Sequence, residues 1–484
     1  MSLDIKRDSK LKSGINLVVV QLSMFLIPLL ATPYIILKVG IGNYGAFIFF
    51  QSVMGLLSVI GSYGFVQTGV RDIANARTLK RLNYEYSQIF YSKLLALLVS
   101  VFIASILFWF DRFSSEKQLY TYSFLFLLMN FLDISFVYQG IEKLKDYVIA
   151  NLVGNVFYLM SLFVFLGDKA DYVYLPLIFS VPRISSLVFS IFALYVRFGI
   201  VPVFFSIKGI MKKLRKGLDC FLMNVFAIIY TRAHVVLLGV ITGNTYVGYY
   251  SIADQLVFAY SNIQGKVSTV YQPQIAYAFK NNLEEGISKA KENILAISSI
   301  AIAGFIFTQF FAFDLLYALF GDIAMYSEIP LRVLSLNFIS MQLNFILGIQ
   351  ILLSLHKDRE LLLPSICAAV LNLSIGSVLI YYFKHIGAAI SISSIEVLIF
   401  MYFYIKVRSF NIEVFGKGLL EKLLGYALGL VLTAGLLRLL YLSISAGIFI
   451  KLPLVMTLYV LVVLMSLRLS NIVDFKNKEV IVSN

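Results

Sequence analysis

The sequence predicts an all-α integral membrane protein of about fourteen transmembrane helices: two pseudo-symmetric six-helix lobes plus two C-terminal helices. Three observations predict it. Of the 484 residues, 60% are hydrophobic and 14% charged, with a mean hydropathy of +0.87, whereas soluble proteins carry roughly 25% charged residues. Apolar runs of about 20 residues recur along the chain, each long enough to cross a ~30 Å hydrocarbon core as a helix. Between the two hydrophobic halves lies a basic stretch, Arg197 to Gly217, with Arg197, Lys208, Lys212, Lys213, Arg215 and Lys216 and no acid before Asp219.

The runs 13–37, 44–69, 86–110, 118–140, 147–167 and 173–195 make the first lobe (13–195). Residues 196–217 read as a basic cytoplasmic loop that hinges the halves. The runs 218–241, 246–275, 293–313, 330–354, 361–383 and 387–407 make the second lobe (218–407), and 421–441 and 449–467 lie in an appended pair (408–467). Residues 1–12 and 468–484 are tails. The basic N-terminus (Lys6, Arg7, Lys10, Lys12) leads into an apolar run without a small-residue cleavage site, so it reads as a retained first span.

Orientation follows from the bases. In alternate loops and both tails, 28 of the 40 Lys and Arg fall on one side, against six on the other: Lys38, Arg112, Lys117, Lys169, Lys384 and Lys451. The positive-inside rule then puts both termini in the cytoplasm. The net charge of +14 is a signature of membrane orientation and not of nucleic-acid binding. Cys220 and Cys367 sit in apolar segments and imply no disulfide framework. His234, His356 and His385 are far apart, without metal-ligand spacing, and no cofactor is expected. The longest outward loop, about 314–330, is too short to house an active site, and no P-loop is visible.

The halves carry a weak internal repeat. Gly14 and Gly217 open spans one and seven; Val39-Gly40 and Leu238-Gly239 close them; Tyr44-Gly45 and Val247-Gly248-Tyr249 open the next spans. Both copies start on the same side, as in a parallel repeat about an axis along the membrane normal.

Several short motifs resemble one family across almost the whole chain. They are Asn16, Gln21, Pro28, Pro33, Gly40 and Tyr44-Gly45, then Gly61-Ser62-Tyr63-Gly64-Phe65 and Thr68-Gly69-Val70-Arg71-Asp72-Ile73-Ala74. Leu132-Asp133-Ile134-Ser135-Phe136-Val137-Tyr138-Gln139-Gly140-Ile141-Glu142-Lys143 follows, with Phe136 where relatives commonly carry Trp. Gly248-Tyr249-Tyr250-Ser251-Ile252-Ala253, Val270-Tyr271-Gln272-Pro273, Leu319-Phe320-Gly321 and Arg332-Val333-Leu334 continue it. The chain thus resembles the polysaccharide-repeat (O-antigen, Wzx-type) flippases of the multidrug/oligosaccharidyl-lipid/polysaccharide exporter superfamily. The resemblance implies two bundles around a central cavity, alternating access, and no enzymatic step. It also implies a bacterial inner-membrane location and an undecaprenyl-diphosphate-linked oligosaccharide as cargo. Membrane lipids, a polysaccharide polymerase and a chain-length regulator would be its partners.

A charge within hydrocarbon is costly unless paired or hydrated, so each intramembrane charge is a functional candidate. These are Lys93, Asp133, Arg183, Arg232, Asp254, Lys266 and Glu396, with Arg332 and Arg438 nearer span ends. The excess of bases suits an anionic lipid head, whereas a cation antiporter needs an acidic cavity. Arg183, after Pro182, is either a cavity cation or an arginine bonded to carbonyls that the proline frees. Arg232 and Asp254 lie at similar depth on adjacent spans, either as a structural pair or as a substrate or coupling site. His234 points to a different face. Lys266 and Lys93 are cargo cations or snorkelling side chains. Asp133 either gates the inner mouth by pairing with a base such as Arg71 or caps a neighbouring helix. Glu396 is a proton-coupling candidate or a neutral, hydrogen-bonded acid. Gln21, Gln51, Asn155, Asn224 and Asn337 are candidates for sugar hydroxyls or for interhelical bonding.

The rival readings are a lipid II-type peptidoglycan precursor flippase or multidrug antiporter of the same superfamily, a polysaccharide polymerase or ligase, and a non-transporting scaffold. The scaffold would tolerate neutralising every intramembrane charge.

Overall fold

The computed structural model describes residues 27–469 apart from Arg77, Val203 and Asp358. Expectations for both tails, the start of the first span, Gly14, Asn16 and Gln21 lie outside the described residues. Helix accounts for nearly all regular structure, and no strand occurs among the described residues. The chain begins with α1 (Ile27–Val39), α2 (Ile41–Ser62), α3 (Phe65–Ala74), α4 (Leu79–Leu107) and the one-turn α5 (Asp111–Ser114). It continues through α6 (Lys117–Phe131), α7 (Ser135–Gly140), α8 (Leu144–Phe165), α9 (Leu175–Phe198), α10 (Ile207–Ile241), α11 (Asn244–Asn281), α12 (Leu283–Phe320) and α13 (Ala324–Leu334). α14 (Asn337–Asn344) runs into a π-helical stretch, Phe345–Leu352. α15 (Arg359–Leu371) passes through a second, Asn372–Gly376, into α16 (Ser377–Ser409), followed by α17 (Lys417–Ser443) and α18 (Ile448–Leu469).

Helix covers most of the described part of each of the fourteen expected runs. Among the described residues, nine segments are long and apolar enough to cross a membrane. Two of them, Leu283–Leu352 and Arg359–Ser409, each cover two expected runs. The second turns at Lys384, whose φ of 53° and ψ of −128° break α16 between runs eleven and twelve. The shorter apolar helices Ile27–Val39 and Ile149–Phe165, together with α11, cover the remaining three. Large apolar side chains stand on the outside in rows, such as Val156, Phe157, Met160, Phe163 and Val164 on α8 and Val188, Phe192 and Val196 on α9. Only a hydrocarbon solvent makes such a surface stable. The protein is a multi-pass membrane protein.

The described residues form two compact units. The first holds residues up to Ser251 together with Ser365–Ala388; the second holds Ile252–Pro364 and the chain from Ala389 onward. In the first, a core near the basic end joins Phe65, Ile73, Leu82, Tyr86, Ile89, Phe136, Val137, Tyr138 and Leu194 from α3, α4, α7 and α9. Near the other end, α2 and α11 touch backbone to backbone. A Cβ on Gly45 would lie 1.9 Å from the Asn244 carbonyl oxygen, and one on Gly248 would lie 2.5 Å from that of Ile41. The repeat's paired glycines are therefore what lets these two helices approach.

In the second unit, Ile294, Ile297, Leu343, Ile346, Leu347 and Ile351 pack with Phe403 and Val407. α17 and α18 join it through α12, where Ala303 and Ile306 meet Tyr426, Leu430, Ala434 and Tyr459. The terminal pair is thus built onto this unit's longest helix.

One expectation is corrected. The basic stretch read as a loop is helical from Ile207, because Ser206 caps α10 by accepting the Gly209 N–H at 3.2 Å. Its apolar residues also recur at helical spacing, with Ile210 buried and Leu214 packed on the first unit's core. A run of bases at the water edge of a membrane helix looks like a loop by composition alone.

Candidate functional site

The short linker 199–206 is fastened along one face of α4. Asn83 donates to the Gly199 carbonyl (3.1 Å) and accepts from the Val201 N–H (3.4 Å). Ser87 accepts from the Phe204 N–H (3.1 Å), Gln88 donates to the Phe204 carbonyl (2.8 Å), and the Tyr91 hydroxyl donates to the Pro202 carbonyl (3.1 Å). These residues recur at one-turn spacing, so a polar stripe on an otherwise apolar helix satisfies extended backbone that would lack partners.

Below this strap, Lys213 on α10 reaches two carboxylates, Asp72 on α3 and Glu85 on α4, the latter at 2.5 Å. Lys216 joins Asp72 at 3.1 Å and Arg81 joins Glu85 at 2.5 Å. The Asp72, Glu85 and Lys213 side chains are nearly buried, at 11%, 7% and 13% exposure. Burial alone raises the Asp72 carboxyl, but hydrogen bonds and charge from Lys213 and Lys216 outweigh it and hold its pKa below the ordinary 3.8. Sequence reading missed this cluster, because its members lie in loops or at span ends and come from three helices.

The structure brings Lys93 and Asp133 together. Lys93 is 5% exposed; its Nζ donates to the Asp133 carbonyl at 2.8 Å and lies 5.6 Å from the Phe136 ring centroid. It does not snorkel. Asp133 itself accepts the Ser135 N–H at 2.9 Å, at the start of α7. Its carboxylate thereby closes a local turn just before α7, whose N-cap, Ile134, makes no side-chain cap bond. Arg71 is exposed on α3, and no ion pair joins it to Asp133 among the described residues. The family-like Leu132-to-Lys143 segment is thus a helix break whose free backbone is tied by Lys93 and Asp133.

Arg183 stands exposed on α9, and Ser185 donates to the Val181 and Pro182 carbonyls, neither of which is the Ile178 carbonyl that Pro182 frees. Lys266 is half-buried on α11. Neither Arg183 nor Lys266 has an ion-pair partner among the described residues. Arg232 belongs to the first unit and Asp254 to the second; both are half-buried and neither is without partners. His234 is buried, with Nε2 2.8 Å from the Tyr250 hydroxyl. Arg438 pairs with Asp314, and Arg332 with Glu328 at 2.7 Å.

Glu396 is 2% exposed; its Oε2 accepts from the Asn344 amide at 2.8 Å, and its carbonyl accepts from the same amide at 3.0 Å. It opens a polar seam through the second unit. Gln342 donates to the Ser261 carbonyl (2.8 Å), and Asn293 donates to Gln350 (2.6 Å) and Ser268 (3.1 Å). Gln350 donates to the Ser268 carbonyl (2.9 Å). Most of the seam flanks the π-helical stretch 345–352, an irregularity frequent at functional sites. Of the amides singled out from the sequence, Asn155 and Asn337 are buried, and Gln51 and Asn224 are half-buried. Isolated Asn and Gln in apolar helices carry no pattern that would have marked the seam.

Residues 11–279, more than half of the chain, match the family described as polysaccharide biosynthesis protein. The chain belongs to that family. Two curated relatives are each named "Putative O-antigen transporter". The one from Escherichia coli (strain K12) is 26% identical over 392 residues, covering 80% of this chain and 94% of the relative. The one from Shigella dysenteriae is 23% identical over 383 residues, covering 78% and 95%. Among solved structures, the inward closed conformation of lipid II flippase MurJ matches with a TM-score of 0.72 at 12% identity, over 93% of this chain and 98% of that one. An inward-facing multidrug resistance MATE family transporter of the MOP superfamily matches at 0.63 and 15%, over 78% and 94%. These structural likenesses establish that this member of the polysaccharide biosynthesis family has the MOP transporter fold.

Proposed function

We propose that this protein is an O-antigen-type flippase. It carries undecaprenyl-diphosphate-linked oligosaccharide repeats across the bacterial inner membrane by alternating access of two six-helix lobes, with both termini cytoplasmic. Its chemistry is non-covalent. The anionic head leaves water, cations replace its hydration, and the polyprenyl tail stays in lipid.

The observation that carries the reading is the asymmetry of the intramembrane charges. Asp314 pairs with Arg438, Asp133 accepts the Ser135 N–H, and Glu396 is bonded to Asn344. Arg183 and Lys266, by contrast, have no carboxylate partner among the described residues. Unpaired cations beside engaged acids suit an anionic cargo. Family membership and the transporter names of the relatives support the same reading. Glu396, buried and hydrogen-bonded, is the proposed proton-coupling group.

The test is a strain lacking the gene. Completed single repeats on undecaprenyl diphosphate are expected to accumulate on the cytoplasmic face while surface polysaccharide is lost. Complementation with Arg183→Ala or Lys266→Ala is expected to lower export severalfold, the loss of one charge-assisted contact, at normal membrane abundance. Full export by the double variant would sink the cationic-path reading. Unpolymerised repeats reaching the periplasm would favour a polymerase instead, and an unchanged repeat pool would favour an antiporter.

A further inference from the structure

The first three turns of α10 present three distinct faces. At 3.6 residues per turn, Ile210, Lys213 and Gly217 fall on the side packed against the first unit, where Lys213 meets Asp72 and Glu85. Ile207, Met211, Leu218 and Leu222 form a second, exposed apolar stripe that runs directly into the apolar span Cys220–Ile241. Lys208, Lys212 and Arg215 form a third stripe beside it, and none of the three has an ion-pair partner among the described residues. An apolar stripe flanked by bases at the end of a span marks a helix lying at the level of lipid headgroups.

Beside these stripes lies a cavity of about 620 Å³, lined by Tyr63, Met211, Lys212, Leu214 and Arg215. Tyr63 is held there by a left-handed turn (φ 44°) before Gly64 (φ 72°), and its ring stacks on Phe221 at 4.4 Å. The cavity thus has on one wall two cations without an ion-pair partner among the described residues, and an aromatic ring on another.

We infer that this cavity is the docking site where the diphosphate of the lipid-linked cargo is first captured from the membrane surface. The inference rests on the flippase reading above. Charge selects the occupant. A lipid–sugar diphosphate diester carries two negative charges, matching Lys212 and Arg215, whereas a phospholipid monoanion would leave one cation unmatched. Lys213 and Lys216, already bound to Asp72, fix the helix and do not compete for the anion. The diphosphate enters from the side, with its polyprenyl tail along the Leu218–Leu222 end of the stripe, where the stripe runs into the span Cys220–Ile241.

The test uses full-length protein in phosphatidylcholine nanodiscs, with an undecaprenyl-diphosphate-linked monosaccharide, the doubly charged diester, as probe. Lys212→Ala combined with Arg215→Ala is expected to weaken binding by about tenfold or more, as loss of two charge-assisted contacts requires. The charge-keeping pair Lys212→Arg and Arg215→Lys is expected to stay within about threefold of wild type. Both positions carry exposed side chains, and an unchanged melting temperature checks that folding is intact. Unchanged affinity in the alanine pair overturns the site. So does equal displacement of the probe by phosphatidylglycerol, which would make this a general anionic-lipid patch. Full displacement by equimolar inorganic diphosphate also overturns it, because the lipid stripe would then contribute nothing. If the alanine pair binds normally while Arg183→Ala still blocks export, the docking site fails and the flippase reading stands. If the deletion strain accumulates no lipid-linked repeat, the flippase reading fails as well.

Discussion

The basic end of the first unit and the polar seam of the second bury polar groups by opposite means. At the basic end, charge meets charge: Lys213, Asp72 and Glu85 neutralise one another with Lys216 and Arg81 at the rim. In the seam, amides and hydroxyls bond to each other, and Glu396 accepts from the Asn344 amide. The difference follows depth. Near a helix end water can reach part of an ion pair and reduce its desolvation cost, whereas within a bundle neutral groups satisfy one another at far lower cost. The first arrangement is strong but depends on every partner being present; the second is a chain of modest bonds that tolerates rearrangement.

The largest effect is expected at Lys213. Lys213→Ala leaves two nearly buried carboxylates facing each other and should cost about 3 kcal/mol, read as a lowered melting temperature in detergent. Adding Asp72→Asn and Glu85→Gln should restore most of the loss. A triple variant no better than the single one would break the ionic account. The effect also has a pH signature. Because the Asp72 pKa is depressed below 3.8 in the folded protein, its contribution is present above that value and lost as pH falls through the lowered one. Wild type and Lys213→Ala should therefore converge in strongly acidic buffer.

A smaller loss, about 1–2 kcal/mol, is expected for Gln350→Leu, which leaves Asn293 and Ser268 without their shared partner. Thermal unfolding measures it, and a loss as large as that of Lys213→Ala would erase the contrast between the two regions. The smallest stability change belongs to Glu396→Gln, about 0.5 kcal/mol or less, since the amide can still accept from Asn344. Export separates the two roles of Glu396: loss of transport at unchanged stability assigns proton coupling, and retained transport assigns a structural acid.

Hydropathy made the spans legible, because a ~30 Å hydrocarbon slab imposes one length on every crossing. Even the break between runs eleven and twelve falls where Lys384 leaves the helical region. The Gly45 and Gly248 pairing was visible as a repeat, though its purpose, backbone contact, needed coordinates. Side-chain partnerships were much less legible. Lys93 looks like a snorkelling lysine until Asp133, forty residues away, supplies a carbonyl. The amide seam joins residues up to 82 positions apart, and the α10 extension hides among charges that hydropathy counts as loop. Periodicity reports how a segment meets its solvent; it does not report which other segment it meets.

The strap on α4 also bears on how the protein is made. Gln88 is synthesised 116 residues before the carbonyl it holds at Phe204. At ~5–20 residues per second, α4 waits about 6–23 s with Asn83, Ser87 and Gln88 unmatched. The N-terminal half cannot complete this face on its own. Its maturation is timed by the arrival of the connecting segment, so a ribosome that stalls before residue 199 leaves behind an intermediate with an open polar flank for the membrane's quality-control proteases to recognise.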